Sequence, residues 1–226
     1  MLNDAIQTYL DLLTDDLAAA SQDRLDAQQR RRGLGFGNRP LCTVLRPRFL
    51  TVDQYQFLRG RVRLLMEAFR VVQDRAVADP RFRGRFRLTP EEDELFRLDP
   101  GFRWPMPTSR LDAFFVPGGA GRRDVLRFTE FNAETPAAPA YTDELADVFL
   151  TLPVMSGFLR KYCAVVPPAR PGVYRALVES FGEWRGTREL PRVAILDWKE
   201  VPTYSEFVLF QDYFRRQGLE RHRRPP

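Results

Sequence analysis

In the stretch LRFTEFNAETPAA, residues 126–138, Glu130, Asn132 and Glu134 occupy alternate positions where an apolar alternating run stops at proline. Alternate side chains of an extended strand share one face, so Glu130 and Asn132 are expected side by side at the strand's end. A carboxylate and an amide oxygen so placed suit a hard cation such as Mg²⁺, which prefers oxygen ligands and keeps several waters. LDAFFV (111–116), the turn PGGAGRR and DVLRFTEFN (124–132) predict a β-hairpin. With Val116 facing Asp124, antiparallel register sets Arg110 opposite Glu130 and Asp112 opposite Phe128. Arg110 could then hold an anionic group bidentately. The same residues also fit a plain cross-strand Arg–Glu ion pair with Asn132 in the following turn, the simpler reading of the local pattern.

The elements around this hairpin read as mostly helical. Ile6, Tyr9, Leu10, Leu13, Leu17 and Leu25 recur at helical spacing and predict one helix over 3–30, capped by Asn3 or Asp4. A long helix over 53–78, capped by Thr51 or Asp53, and a short one over 89–98, with Thr89 as cap and Pro90 at its first position, follow. Further helices are expected over 141–162, broken at Pro153, over 172–185 and over 202–218. RVAILDW (192–198) reads as a buried strand. The loop RRGLGFGNRP (31–40) carries three glycines that would let a phosphate approach the backbone, but lacks the Gly-Lys-Ser/Thr ending of a P-loop. A plain connector is the competing reading. Thr203 and Glu206 have the spacing of a capping box, which competes with any ligand role for them.

Composition removes several chemistries. His222 is the only histidine, so a histidine-based triad or histidine-rich metal site is excluded. Cys42 and Cys163 form no metal-ligand spacing. Of 35 basic residues only Lys161 and Lys199 are lysines, so the net charge of +5 is carried by arginine, which suits carboxylate and phosphate. No zinc-finger, RRM or KH pattern accompanies that charge, and no nucleic-acid partner is expected. The acidic, amphipathic first twenty residues lack the basic start of a signal peptide. No apolar run approaches the roughly 18–20 residues of a membrane span, so a cytoplasmic protein without a membrane partner is expected.

The segment from SRLDAFF through FTEFNAETPAA resembles the circularly permuted ATP-grasp ligases, the family of glutathionylspermidine synthetases and eukaryotic-type glutathione synthetases. The matching elements are Arg110-Leu111-Asp112 and Glu130-Phe131-Asn132-Ala133-Glu134-Thr135-Pro136. RVAILDWKEVPTYSEFVLFQDYFRRQG (192–218) is similar to the strand–turn–helix that opens the substrate domain in the bacterial branch. The resemblance implies an ATP-dependent carboxylate–amine ligase working through an acyl-phosphate, with ATP and Mg²⁺ as cofactors. It implies Glu130 and Asn132 as metal ligands and Arg110 as the catalytic residue that steadies the carboxylate and its acyl-phosphate. It also implies Thr135, Glu134, Glu200, Thr203, Tyr204 and Glu206 as substrate contacts. Partners would be a small-molecule or peptide carboxylate and an amine.

The expected fold is α+β (α/β) and permuted ATP-grasp-like, with a helical N-terminal third, a β-hairpin catalytic edge and the start of a Rossmann-like substrate domain. Residues 1–165 are expected to form the N-terminal part of the catalytic domain, 166–190 a linker and helix, and 191–226 an incomplete substrate domain. Neither lysine stands in a family-like nucleotide context, and the ending LERHRRPP departs from the family pattern. A truncated chain, inactive alone, is therefore expected, awaiting a missing C-terminal half or self-associating through the apolar 192–198 strand. The alternative is a non-catalytic binding or assembly protein that keeps the fold.

Overall fold

Short polar signals, more than hydrophobic periodicity, set the helix boundaries. The computed structural model describes residues 2–104, 106–119, 121–133, 136–198 and 200–219. In chain order it runs α1 (Leu2–Leu12), α2 (Asp15–Arg32), β1 (Gly35–Phe36), β2 (Arg39–Pro40), α3 (Val52–Ala78), α4 (Pro80–Arg83) and α5 (Pro90–Phe96). It continues through β3 (Arg110–Val116), β4 (Val125–Asn132), α6 (Pro139–Leu150), α7 (Pro153–Phe158), α8 (Arg170–Arg185) and α9 (Tyr204–Arg216). The class is mixed α+β, mostly helical, with two antiparallel two-stranded sheets, β1–β2 and β3–β4.

The single helix expected over 3–30 is two. Thr14 takes an extended conformation (φ −63°, ψ 160°) and Asp15 and Asp16 fill the first turn of α2. Acids there complement the helix dipole, so the chain restarts a helix where periodicity alone would have continued one. Thr51 caps α3 by a complete capping box with Gln54, and Thr89 caps α5 by one with Glu92.

Contacts divide the chain into two units, Met1–Phe49 with Glu134–Pro226 and Leu50–Ala133. The first holds the principal core: Tyr9 of α1, Leu25 of α2, Val148 of α6, and Leu152, Val154 and Phe158 at α7 are almost wholly enclosed. The Phe158 ring stacks on Phe49 and Tyr162 and meets Tyr9 edge-on, with centroids 4.8, 4.9 and 5.5 Å away. Each such buried side chain contributes roughly 1.5–3 kcal/mol. The Tyr9 hydroxyl donates to the Leu45 carbonyl at 2.7 Å, which removes the cost of burying it.

An ionic network ties α2, α6 and α8 within this unit. Arg170 Nη1 donates to Glu144 Oε1 at 2.7 Å, and Arg32 Nη1 to Glu144 Oε2 at 2.8 Å. Asp143 accepts from the backbone of Ala169 and Arg170 at 2.7 and 2.9 Å. Burial opposes ionisation of Glu144, but the hydrogen bonds from Arg170 and Arg32 win and hold its pKa below the ordinary value. A lowered folded-state pKa gives stability that is fully present above the unfolded value and lost as pH falls through the folded one. Urea unfolding midpoints should therefore drop once pH goes below about 4.3. Glu144→Gln should flatten that drop, and an unchanged acid limb in the variant would refute the assignment.

The second unit packs α3 on one face of the β3–β4 hairpin, Phe57 meeting Phe115 and Phe69 meeting Phe131 at centroid distances of 6.3 and 4.5 Å. Arg83 fastens its other end. Its guanidinium donates to the Ala76 carbonyl at the end of α3 (2.7 Å) and to Asp93 of α5 (2.6 Å).

Residues 192–198, expected as a buried strand, pair with no strand among the described residues. Leu196 and Trp198 are 90% and 86% exposed. A strand exists only through its neighbour's hydrogen bonds, so apolar β-prone composition alone leaves this segment as irregular chain. Among the described residues no helix is long and apolar enough to cross a membrane.

Candidate functional site

The hairpin that carries Arg110, Glu130 and Asn132 forms, but in a different register from the expected one. Arg110 pairs with Asn132, Leu111 with Phe131, and Asp112 with Glu130. Beyond an irregularity, Ala113 pairs with Phe128, Phe115 with Leu126 and Val116 with Val125. Arg110 opposite Glu130 and Asp112 opposite Phe128 are thus corrected. Thr129 is the extra residue of a β-bulge, and its Oγ1 donates to the Asp112 carbonyl at 3.1 Å.

The bulge decides which way the polar residues point. In an unbroken strand Leu126, Phe128, Glu130 and Asn132 would share one face. With Thr129 looped out, Leu126, Phe128 and Phe131 fall on one side with Leu111, Ala113 and Phe115. That is the face toward α3. Arg110, Asp112, Glu130 and Asn132 fall together on the other. A regular pattern would have put a carboxylate against phenylalanine rings, and the one-residue shift removes that conflict.

On the polar face the four side chains form one chain of contacts. Arg110 Nε donates to Asp112 Oδ1 at 3.0 Å. With the Asn132 amide turned to satisfy both neighbours, its Oδ1 accepts from Arg110 Nη2 (3.3 Å) and its Nδ2 donates to Glu130 Oε1 (3.1 Å). The side chains of Arg110 and Asp112 are each 41% exposed, so solvent and ligands reach the cluster. An ion pair this exposed adds little stability by itself. One guanidinium against two carboxylates leaves the cluster with an excess negative charge, which favours a cation nearby.

The donor set fits a divalent cation in one specific way. Turned over, the amide presents Oδ1 to Glu130 Oε1 across the same 3.1 Å. Adjacent oxygens on octahedral Mg²⁺ lie about 2.9 Å apart when the metal–oxygen bonds are about 2.0–2.1 Å. That turn takes the Asn132 oxygen away from Arg110 Nη2. Among the described residues no group of three or more His, Cys, Asp or Glu side chains could hold a metal ion.

The described residues expected as substrate contacts belong to the first unit. Glu134 and Thr135 lie outside the described residues. Glu200 is exposed and Thr203 half-buried ahead of α9, and Tyr204 is 64% exposed at its first turn. Glu206 has a structural role at the start of α6. It is 2% exposed, and its carboxylate accepts from the backbone N–H groups of Ala138 (3.0 and 2.9 Å), Ala140 (2.9 Å) and Tyr141 (3.3 Å). It caps the N-terminus of α6, with Oε1 taking three of these bonds and Oε2 one. The capping box with Thr203 does not form, since Thr203 makes no side-chain cap bond. Two residues that matter at the hairpin carry weak sequence signals: Asp112 as Glu130's cross-strand neighbour and Thr129 as the bulge. The one available cue was the conflict between strict alternation and a carboxylate on the apolar face.

Compared with protein-family models, with curated proteins and with solved structures, the chain finds no match.

Proposed function

We propose that this chain contributes the metal-binding edge of an ATP-dependent carboxylate–amine ligase of the circularly permuted ATP-grasp type. The observation that carries the reading is the bulge at Thr129, which sets Glu130 and Asn132 beside Arg110 on a solvent-facing surface. The resemblance of Arg110-Leu111-Asp112 and Glu130-Phe131-Asn132 to that family supplies the reaction class. Bound Mg²⁺ would neutralise ATP phosphate charge. Glu130 and Asn132 would hold it through their oxygens. Arg110 would bind the substrate carboxylate and the acyl-phosphate made from it, because developing negative charge needs a fixed cation aimed at it. Asp112 would hold the guanidinium in place through Nε.

The test is calorimetry of ATP binding with and without Mg²⁺, on the native chain and on Glu130→Ala/Asn132→Ala. Mg²⁺-dependent heat that vanishes in the double variant is the expected result. A native chain that is folded yet silent would overturn the reading.

One observation favours a second reading, a non-catalytic binding or assembly protein that retains the fold. Asn132 can close the network on itself through Glu130 and Arg110 without any metal. On that reading ATP gives no heat, and the double variant lowers stability instead.

A further inference from the structure

The glycine-rich segment 33–40 does more than connect two helices. It folds back as the β1–β2 hairpin and, with residues 201–205, walls a cavity of about 650 Å³ within the first unit. That volume lies in the range of small-molecule sites, roughly 300–1,000 Å³.

The hairpin is fixed from behind. The Gly35 carbonyl accepts from the Tyr141 hydroxyl (3.1 Å) and the Ser205 hydroxyl (3.2 Å), which are themselves 2.5 Å apart. The Glu206 N–H donates to the Tyr141 oxygen at 3.1 Å, and the Gly37 N–H reaches the Pro202 carbonyl at 3.3 Å. Gly37 turns the hairpin at φ +57°, a conformation that costs a residue with a Cβ about 1 kcal/mol or more. The wall is therefore held in shape before any ligand arrives.

Charge on that wall is positive. Arg30, from the last turn of α2, and Arg39, from β2, both line the cavity. Neither guanidinium meets a carboxylate among the described residues, although Arg32, in the same turn as Arg30, is paired with Glu144. Asp26 also lines the cavity and accepts from Gln22. Two guanidiniums against one carboxylate leave a net positive wall. Tyr204 also lines the cavity and is 64% exposed. Guanidinium groups bind carboxylate and phosphate through paired N–H donors, and their weak hydration makes partial burial under a ligand inexpensive.

We propose that this cavity binds a small molecule through an oxyanion, carboxylate or phosphate, held by Arg30 and Arg39 with the Tyr204 ring against its body. The proposal concerns the first unit alone and stands without the ligase reading.

The test is calorimetry on the full chain at low ionic strength with two probes, inorganic pyrophosphate and succinate. Saturable binding of at least one probe is expected, weakened about tenfold or more by Arg30→Ala and by Arg39→Ala. Arg31→Ala, an exposed neighbour that does not line the cavity, should leave it unchanged. Pyrophosphate alone would identify a phosphate site and succinate alone a carboxylate site. Silence with both probes would overturn the proposal. So would equal weakening by Arg31→Ala, which would mean diffuse attraction to a basic surface. Circular dichroism of each variant separates lost binding from lost fold.

Discussion

Glu206→Ala is expected to lower the unfolding free energy of the first unit by about 3–4 kcal/mol, read as a shift of the urea midpoint. The side chain is a buried carboxylate whose oxygens take the N–H groups of Ala138, Ala140 and Tyr141. The first N–H groups of a helix have no partner within it, and leaving several buried without one costs about 1–3 kcal/mol each before water relieves part of it. Glu206 also lies in the first turn of α9, so its charge faces the positive end of two helix dipoles. It further steadies Ala138, whose φ of 110° is unfavourable for a residue with a side chain. Glu206→Gln keeps an oxygen acceptor but loses the charge and should cost less, about 1–2 kcal/mol. A loss below about 1 kcal/mol for the alanine variant would mean that the helix end finds other partners.

The second large effect concerns the bulge. Inserting one alanine between Asp112 and Ala113 gives Thr129 a partner and makes the hairpin regular. Arg110, Asp112, Glu130 and Asn132 then turn toward α3, and Phe131 turns to solvent. Losing the Phe69–Phe131 contact and burying charge should cost about 2–3 kcal/mol. Mg²⁺-dependent ATP binding should disappear with it. Deleting Thr129 is the matched control, since it also removes the bulge but leaves Phe128 and Glu130 on opposite faces. That variant should retain any metal binding the native chain has. If insertion and deletion behaved alike, the orientation given to the polar face would be wrong.

Much of the local structure was legible in the sequence. Thr51 before α3 and Thr89-Pro90 before α5 are start signals whose physics is confined to four residues, so they survive any tertiary context. The turn between β3 and β4, rich in glycine, likewise announced the hairpin, and Gly118 N–H bonded to Asp124 shows the closure is local. Arg110, Glu130 and Asn132 could be nominated because residue type and spacing are sequence properties.

What the sequence alone determined about this protein is therefore its mixed helical and hairpin make-up, the starts of α3 and α5, and the pairing of 110–116 with 124–132 as one hairpin. The tertiary structure decided register, burial and long-range partners. The register and bulge of β3–β4 were fixed by the need to lay Phe115 and Phe131 against α3, a long-range packing demand that overrides alternation. Glu206 became the cap of a helix 65 or more residues away along the chain, a partnership invisible to any local pattern. The 192–198 segment pairs with no strand among the described residues, because a strand is defined by its neighbour and not by its own composition. Local signals act through bonds within one turn, whereas register, burial and trans-capping are set by whatever surface the folded chain brings alongside.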